Sequence, residues 1–416
     1  MPAEPALPPA TQAALPPVTA ASPTEGPRER LITASFVLVT LSTFAYFMAI
    51  GALVPTLPRY VERELGGGSI AVGAAVGVFA FAAAALRPFA GRAGDLRGRR
   101  ILVVGGSAIV GISILGYVVA DSLAVLLGLR LLTGVGEAAM WVGAATAIQD
   151  MAPDDRRGEA ASYFSVALYG GLAFGPLVGE LIERGADFDA VWLAAGLSSL
   201  IAAVLGLWTP HRAPVDPQPF RFLQRDALRP GILLFLGLVP FIVFSAFVSL
   251  YGPQVDIDDV APLFLLYGGL VLVVRIAGAR LPDRLGSRRA SSIALGMLGA
   301  AGILLGAWGA AAGVWVATVG LALGMSLLFP ALFSATVAAA PEEERGQAVG
   351  TFSLFFDTAG GIAPPLLGIV VALASYRLAF AMSGVVALVG LFLVAKMSTG
   401  RSNESEPAGP DVRTPA

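Results

Sequence analysis

Cysteine is absent from this 416-residue chain, histidine occurs once (His211) and lysine once (Lys396). Without thiols there is no disulfide, no thiolate nucleophile and no zinc-thiolate site. A single imidazole cannot supply the ligand sets or triads of the usual zinc hydrolases, histidine-based hydrolases and haem proteins. A phosphate-binding loop needs lysine followed by serine or threonine, and Lys396 is followed by Met397, so that kind of ATP motor is excluded. Charge is scarce too. Charged residues are 13% of the chain, against roughly 25% in an average soluble domain. Hydrophobic residues reach 56%, mean hydropathy is +0.77 and the net charge is −2. These values leave no basic footprint for nucleic acid. They point to a chain solvated mostly by lipid, with no enzymatic activity, cofactor or metal expected.

Residues 1–30 are rich in proline, alanine and threonine, and residues 398–416 are polar. Neither segment can bury a core, and both are expected to be disordered tails. No cationic region precedes a short apolar stretch, so the N-terminus does not read as a signal peptide. Between the tails lie twelve apolar segments of about 20 residues, the length a helix needs to cross the hydrocarbon. Continuous rather than alternating apolarity excludes strands. The sequence therefore predicts an all-α membrane protein of two six-helix bundles, residues 31–209 and 230–397, joined by a proline- and arginine-rich linker at 210–229.

Positive charge orients the chain. With Arg87 and Arg275 counted among the connections, 22 of the 27 Lys+Arg residues fall on the side of the termini. Four (Arg59, Arg63, Arg184 and Arg377) fall on the other side, and Arg130 lies within a segment. Both termini are thus expected in the cytoplasm, with the protein in the inner or plasma membrane.

The two halves repeat at an offset of 188 residues. Arg87, Arg92, Asp95, Gly98 and Arg100 return as Arg275, Arg280, Asp283, Gly286 and Arg288. Farther on, Pro153, Arg157, Gly158, Phe164, Ser165 and Pro176 return as Pro341, Arg345, Gly346, Phe352, Ser353 and Pro364. A duplication of this kind suggests a pseudo-twofold protein with its functional site between the halves.

The loop Gly91-x-x-x-Asp95-x-x-Gly98-Arg99-Arg100, with its copy Asp283-Arg284-x-Gly286-x-Arg288, resembles the signature loop of the major facilitator superfamily. Its glycines suit a tight turn at Gly98 and close helix contact at Gly91. The resemblance implies that Asp95 and Asp283 cap helices of the opposite bundle and latch one state of an alternating-access transporter. Arg130-x-x-Thr133-Gly134-x-Gly136-Glu137 is similar to a second motif of that family. Two helical turns separate Arg130 from Glu137, so they share a face and can tune one another. Gly171, Gly175, Pro176 and Gly179 resemble the motif of its twelve-helix drug:proton antiporters, which implies a gating helix against the opposite bundle. Glu180 departs from that motif, where a second glycine is usual.

Asp357 lies near the middle of the eleventh segment, and its counterpart at the offset is Tyr169. Charges at this depth cost about 2.5–3.5 kcal/mol each on insertion scales, so they are expected to face a wet cleft or a partner. Asp357 and Glu137 are the candidate proton and substrate carriers, although each could instead fix helix packing. Tyr46, Trp141, Tyr169 and Tyr267, with Phe47, Tyr163, Phe244 and Phe329, could line an amphipathic cavity or simply pack. The expected function is proton-coupled efflux of hydrophobic or amphipathic small molecules by a monomer. Transport of sugars or other metabolites is the alternative, and a non-transporting receptor or scaffold is the alternative of another class.

Overall fold

A computed structural model describes residues 31–153, 156–211, 223–277, 284–341 and 345–396. Both expected tails beyond Leu31 and Lys396, and linker residues 212–222, lie outside them. Every regular element among the described residues is helical. The first half holds α1 (Ala34–Arg63), α2 (Ser69–Arg97), α3 (Arg99–Leu115), α4 (Leu123–Asp150), α5 (Arg157–Gly185) and α6 (Phe188–Gly206). The second holds α7 (Arg225–Tyr251), α8 (Ala261–Ala277), α9 (Ser287–Ala307), α10 (Ala311–Ala339), α11 (Arg345–Leu373) and α12 (Tyr376–Lys396). Eleven are long and apolar enough to span a bilayer, and α8 runs to the edge of the described residues.

Local chemistry sets many of the boundaries. Thr33, Asp187 and Gln224 accept hydrogen bonds from the backbone N–H groups of Phe36, Ala190 and Ala227, which caps α1, α6 and α7. Gln224 starts α7 at Arg225, so Arg225–Arg229, expected in the linker, are helical instead. Gly98 and Gly286 turn the chain into α3 and α9 with φ of +87° and +75°, where a side chain would be strained. The duplicated loop thus contains the turn that its glycines predict.

The halves pack alike. In the first, α1 lies against α5 and α6, α3 against α4 and α6, and α2 against α4. Helices α7 to α12 repeat each of these pairings. Small residues let backbones approach: a Cβ at Gly106 would stand 2.5 Å from the nitrogen of Met140, and one at Gly384 2.5 Å from the oxygen of Gly299. Hydroxyls tie the helices further, with Ser198 and Ser42 donating to the carbonyls of Ala45 and Ala202 at 2.8 and 2.7 Å. Large apolar side chains such as Phe81, Leu181 and Leu373 face outward, as a hydrocarbon solvent requires.

Among the described residues the halves join mainly through α2 with α11, α5 with α8 and α1 with α7. The 188-residue offset exchanges the first two. Along α2 and α11 the seam is tight from mid-height to the arginine-poor face. Ser69 donates to the carbonyl of Gly368 at 3.1 Å, and Cβ atoms at Gly73 and Gly77 would collide with Pro364 and Pro365. Nearer the opposite end of α2 the situation reverses. A Cβ at Gly91 would meet nothing within 4 Å among the described residues, so the close helix contact expected there is not made by them.

Candidate functional site

At mid-height the α2–α11 seam encloses a charge cluster. Arg87 of α2 reaches across to Asp357 of α11. Its Nη2 donates to Oδ1 at 2.8 Å, and Nε stands 2.6 Å from Oδ2 in ion-pair contact, its N–H direction missing hydrogen-bond geometry. Glu137 of α4 lies behind, 3.9 Å from the same guanidinium, and accepts a hydrogen bond from the hydroxyl of Tyr46 on α1. Trp141, one turn after Glu137, places its ring under Arg87 with the guanidinium carbon 4.9 Å from the ring centroid. Arg87, Glu137 and Asp357 are only 6–7% exposed. Both acids meet the Arg87 guanidinium, and pairing, rather than contact with a wet cleft, offsets their cost here.

Arg87 is the residue that sequence reasoning missed. Read along the sequence it belongs with the cytoplasmic connections, yet it stands ten residues inside α2, about 15 Å from the helix end. Its copy Arg275 is also within a helix, α8. One signal was available: applying the 188-residue offset to a pair rather than to single residues. Arg87–Asp357 maps onto Arg275–Tyr169, and this second pair exists. Arg275 donates to the Tyr169 hydroxyl at 2.9 Å and to the Ser165 hydroxyl at 3.5 Å, with its guanidinium 4.4 Å from the Tyr169 ring centroid. Trp141 maps onto Phe329, which lies 5.7 Å from the Arg275 guanidinium. Each half therefore sets an arginine between an aromatic of its own bundle and a polar partner of the other.

Several expectations need correction. Arg130 is near enough to act on Glu137 through its charge, as expected, but makes no ion pair with it among the described contacts. Its Nε donates to the carbonyl of Ala75 at 2.8 Å and it stacks on Phe79, so the two turns that separate it from Glu137 leave it tying α4 to α2. Gly171, Gly175 and Gly179 face α1 of their own bundle, where Cβ atoms would come within 2.5–2.7 Å of Met48, Phe47 and Ala52. Pro176 packs beside Gly51 on that face. The opposite bundle meets a different stripe of α5, namely Tyr169, Ala173 and Glu180. Helical periodicity separates the two stripes, so the glycine motif packs a bundle and its neighbours face the seam. Tyr267 is buried and stacks on Phe241 of α7 at 4.2 Å.

The loop motif forms no described latch. Arg99 pairs with Asp150 of its own bundle at 3.5 Å, and Arg100, Arg284 and Arg288 are exposed. Asp283 and the side chain of Asp95 lie outside the described residues. A latch is present instead near the other face. Glu180, the departure from the antiporter motif, accepts from the Ala261 backbone N–H at 2.7 Å and from Val260 at 3.4 Å, at the start of α8. Arg59 of α1 bonds the same carboxylate and also reaches Glu183 at 3.2 Å. An anion at a helix N-terminus is electrostatically favourable, so Glu180 joins α5 to the opposite bundle.

Comparison with known proteins places this geometry. The profile of the Major Facilitator Superfamily matches residues 39–325 and 254–415. The chain belongs to this superfamily. An uncharacterized MFS-type transporter of Salmonella typhimurium is 29% identical over 366 residues, covering 86% of this chain and 94% of the relative. One of Burkholderia pseudomallei (strain K96243) is 30% identical over 382 residues, covering 87% and 91%. Among solved structures, a POT family transporter in complex with a thioalcohol-conjugated peptide superposes with a TM-score of 0.76 at 14% identity, covering 88% of this chain and 96% of that one. A bacterial homologue of the human lysosomal transporter Spinster, inward-facing and occupied, gives 0.72 at 14%, covering 90% and 98%. The human organic anion transporter MFSD10 gives 0.67 at 20%, covering 87% and 99%. At these identities the structures establish the shared fold. The chain is a multi-pass membrane transporter of the major facilitator type.

Proposed function

We propose that this transporter exports hydrophobic or amphipathic small molecules in exchange for protons, by rocking its two bundles about the α2–α11 and α5–α8 seams. The observation that carries the reading is one guanidinium, Arg87, held between a carboxylate of each bundle. While Asp357 is ionised, Arg87 bridges the bundles. A proton on Asp357 removes that attraction, and Arg87 then leans to Glu137, already 3.9 Å away in its own bundle. Proton uptake and bundle separation become one event. The driving force is ample, since one charge crossing 100 mV supplies about 2.3 kcal/mol.

Substrate would enter beside this cluster. Phe164 and Trp141 of the first bundle face Phe356, Phe329 and Phe333 of the second as a chain of partly exposed rings, Trp141 and Phe356 stacking at 6.3 Å across the seam. Such a wall favours amphipathic molecules over sugars. The tight arginine-poor seam corresponds to the state closed to the outside, with both termini in the cytoplasm, the protein in the cell membrane and a monomer as the working unit.

Asp357→Asn in proteoliposomes tests the coupling. Flux driven by a pH gradient should vanish while binding persists, and unchanged gradient-dependent flux refutes the assignment.

A further inference from the structure

The 188-residue offset equates the two arginines but not what faces them. Arg87 meets a carboxylate, whereas Arg275 meets the hydroxyls of Tyr169 and Ser165 and the faces of two rings. Among the described residues no carboxylate lies within ion-pair distance of Arg275, and its buried Nε has no hydrogen-bond partner. A guanidinium carries five N–H donors in a planar fork and stays ionised. Neutral acceptors satisfy two of its nitrogens, and rings attract its charge only weakly by comparison with an anion. A cation inside a membrane helix needs more than that, unless something else completes it.

The surroundings say what could. Arg275 is partly exposed rather than sealed, and so are Tyr169, Phe329, Phe333 and Phe356 near it. These rings belong to the aromatic wall between the bundles. A molecule lying on that wall brings its edge to Arg275, and a planar carboxylate is the group whose two oxygens match the fork.

We propose that Arg275, with Tyr169, is the recognition point for an anionic head group, so that the substrate is an aromatic or amphipathic carboxylate rather than a neutral or cationic drug. The substrate's carboxylate plays toward Arg275 the part that Asp357 plays toward Arg87. This rests on the transport reading above and names its substrate class. Exchange of such an anion for protons keeps each bundle's arginine neutralised in turn, Arg87 by protein and Arg275 by cargo.

Equilibrium dialysis with the purified full chain in zwitterionic phosphatidylcholine nanodiscs tests it, with no gradient imposed. The probes are radiolabelled 2-naphthoate, its neutral isostere 2-naphthamide, and 2-naphthylmethylammonium. At neutral pH the carboxylate should bind at least about tenfold more tightly than the amide, the least expected of a charge-assisted pair. Arg275→Gln should erase that preference and leave amide binding unchanged. Tyr169→Asp, which copies the Asp357 arrangement into the second half, should erase it too by neutralising Arg275 in place. This variant answers the question if Arg275→Gln fails to fold. Asp357→Asn should keep the preference, which separates this test from that of proton coupling. No binding of 2-naphthoate by the parent protein, equal binding of all three probes, or a preference that survives both Arg275→Gln and Tyr169→Asp would overturn the proposal.

Discussion

Replacing Glu180 with glutamine isolates the latch at the arginine-poor face. The carboxylate accepts the Ala261 N–H at 2.7 Å and bonds Arg59, which keeps a second partner in Glu183 at 3.2 Å. Glutamine can still accept the Ala261 N–H, but as a neutral hydrogen bond about half as strong. The loss is thus roughly 1–1.5 kcal/mol at the helix terminus. Both bonds exist with the seam closed, and the one to Ala261 must break when α5 and α8 part. The bond to Arg59 lies within the first bundle and persists when the seam opens, so only the Ala261 share destabilises the closed state relative to the open one, and the equilibrium shifts by about 5- to 13-fold. The absence of cysteine makes the assay clean. A single Ser69→Cys reporter sits where Ser69 bridges to Gly368 across the α2–α11 seam. Its labelling by a membrane-impermeant maleimide should accelerate by about five- to tenfold in Glu180→Gln, up to the ceiling set by full opening. Equal labelling rates with and without Glu180→Gln would refute the idea that this carboxylate holds the bundles together.

Three further outcomes are expected. Gly175→Ala should lower the melting temperature of the detergent-purified chain and cost about 1–3 kcal/mol, because its Cβ would stand 2.5 Å from the Met48 carbonyl and 2.7 Å from the Gly51 Cα. Gly91→Ala, with open space at the same assay, should leave the melting temperature unchanged or raise it slightly. Gly98→Ala should cost about 1–3 kcal/mol through backbone strain alone, since φ is +87° with ψ 156° and no clash is required, and an unshifted melting curve would contradict the turn geometry.

The candidate site divides between what spacing could reveal and what it could not. Asp357 and Glu137 stood out because lipid penalises charge regardless of fold. Arg87 and Arg275 did not, because an arginine near a helix end reads as a loop cation until its depth is known. Likewise the glycine stripe of α5 announced close packing, but whether it packs on α1 or on the opposite bundle depends on which face turns to which neighbour. Glu180 looked like a flaw in a motif and became a bond to α8, since nothing in sequence places residue 180 beside residue 261.

By itself the sequence determined twelve helices, their duplication and the turn at Gly98, because hydrophobic length and backbone sterics act locally along a chain. Only the tertiary structure decided that Arg87 belongs to Asp357, that Arg130 belongs to Ala75, and that Arg275 faces hydroxyls and rings. Ion pairing in lipid is a matter of a few ångströms between helices that are up to 270 residues apart in the chain, and the rotation of each helix about its axis sets those distances.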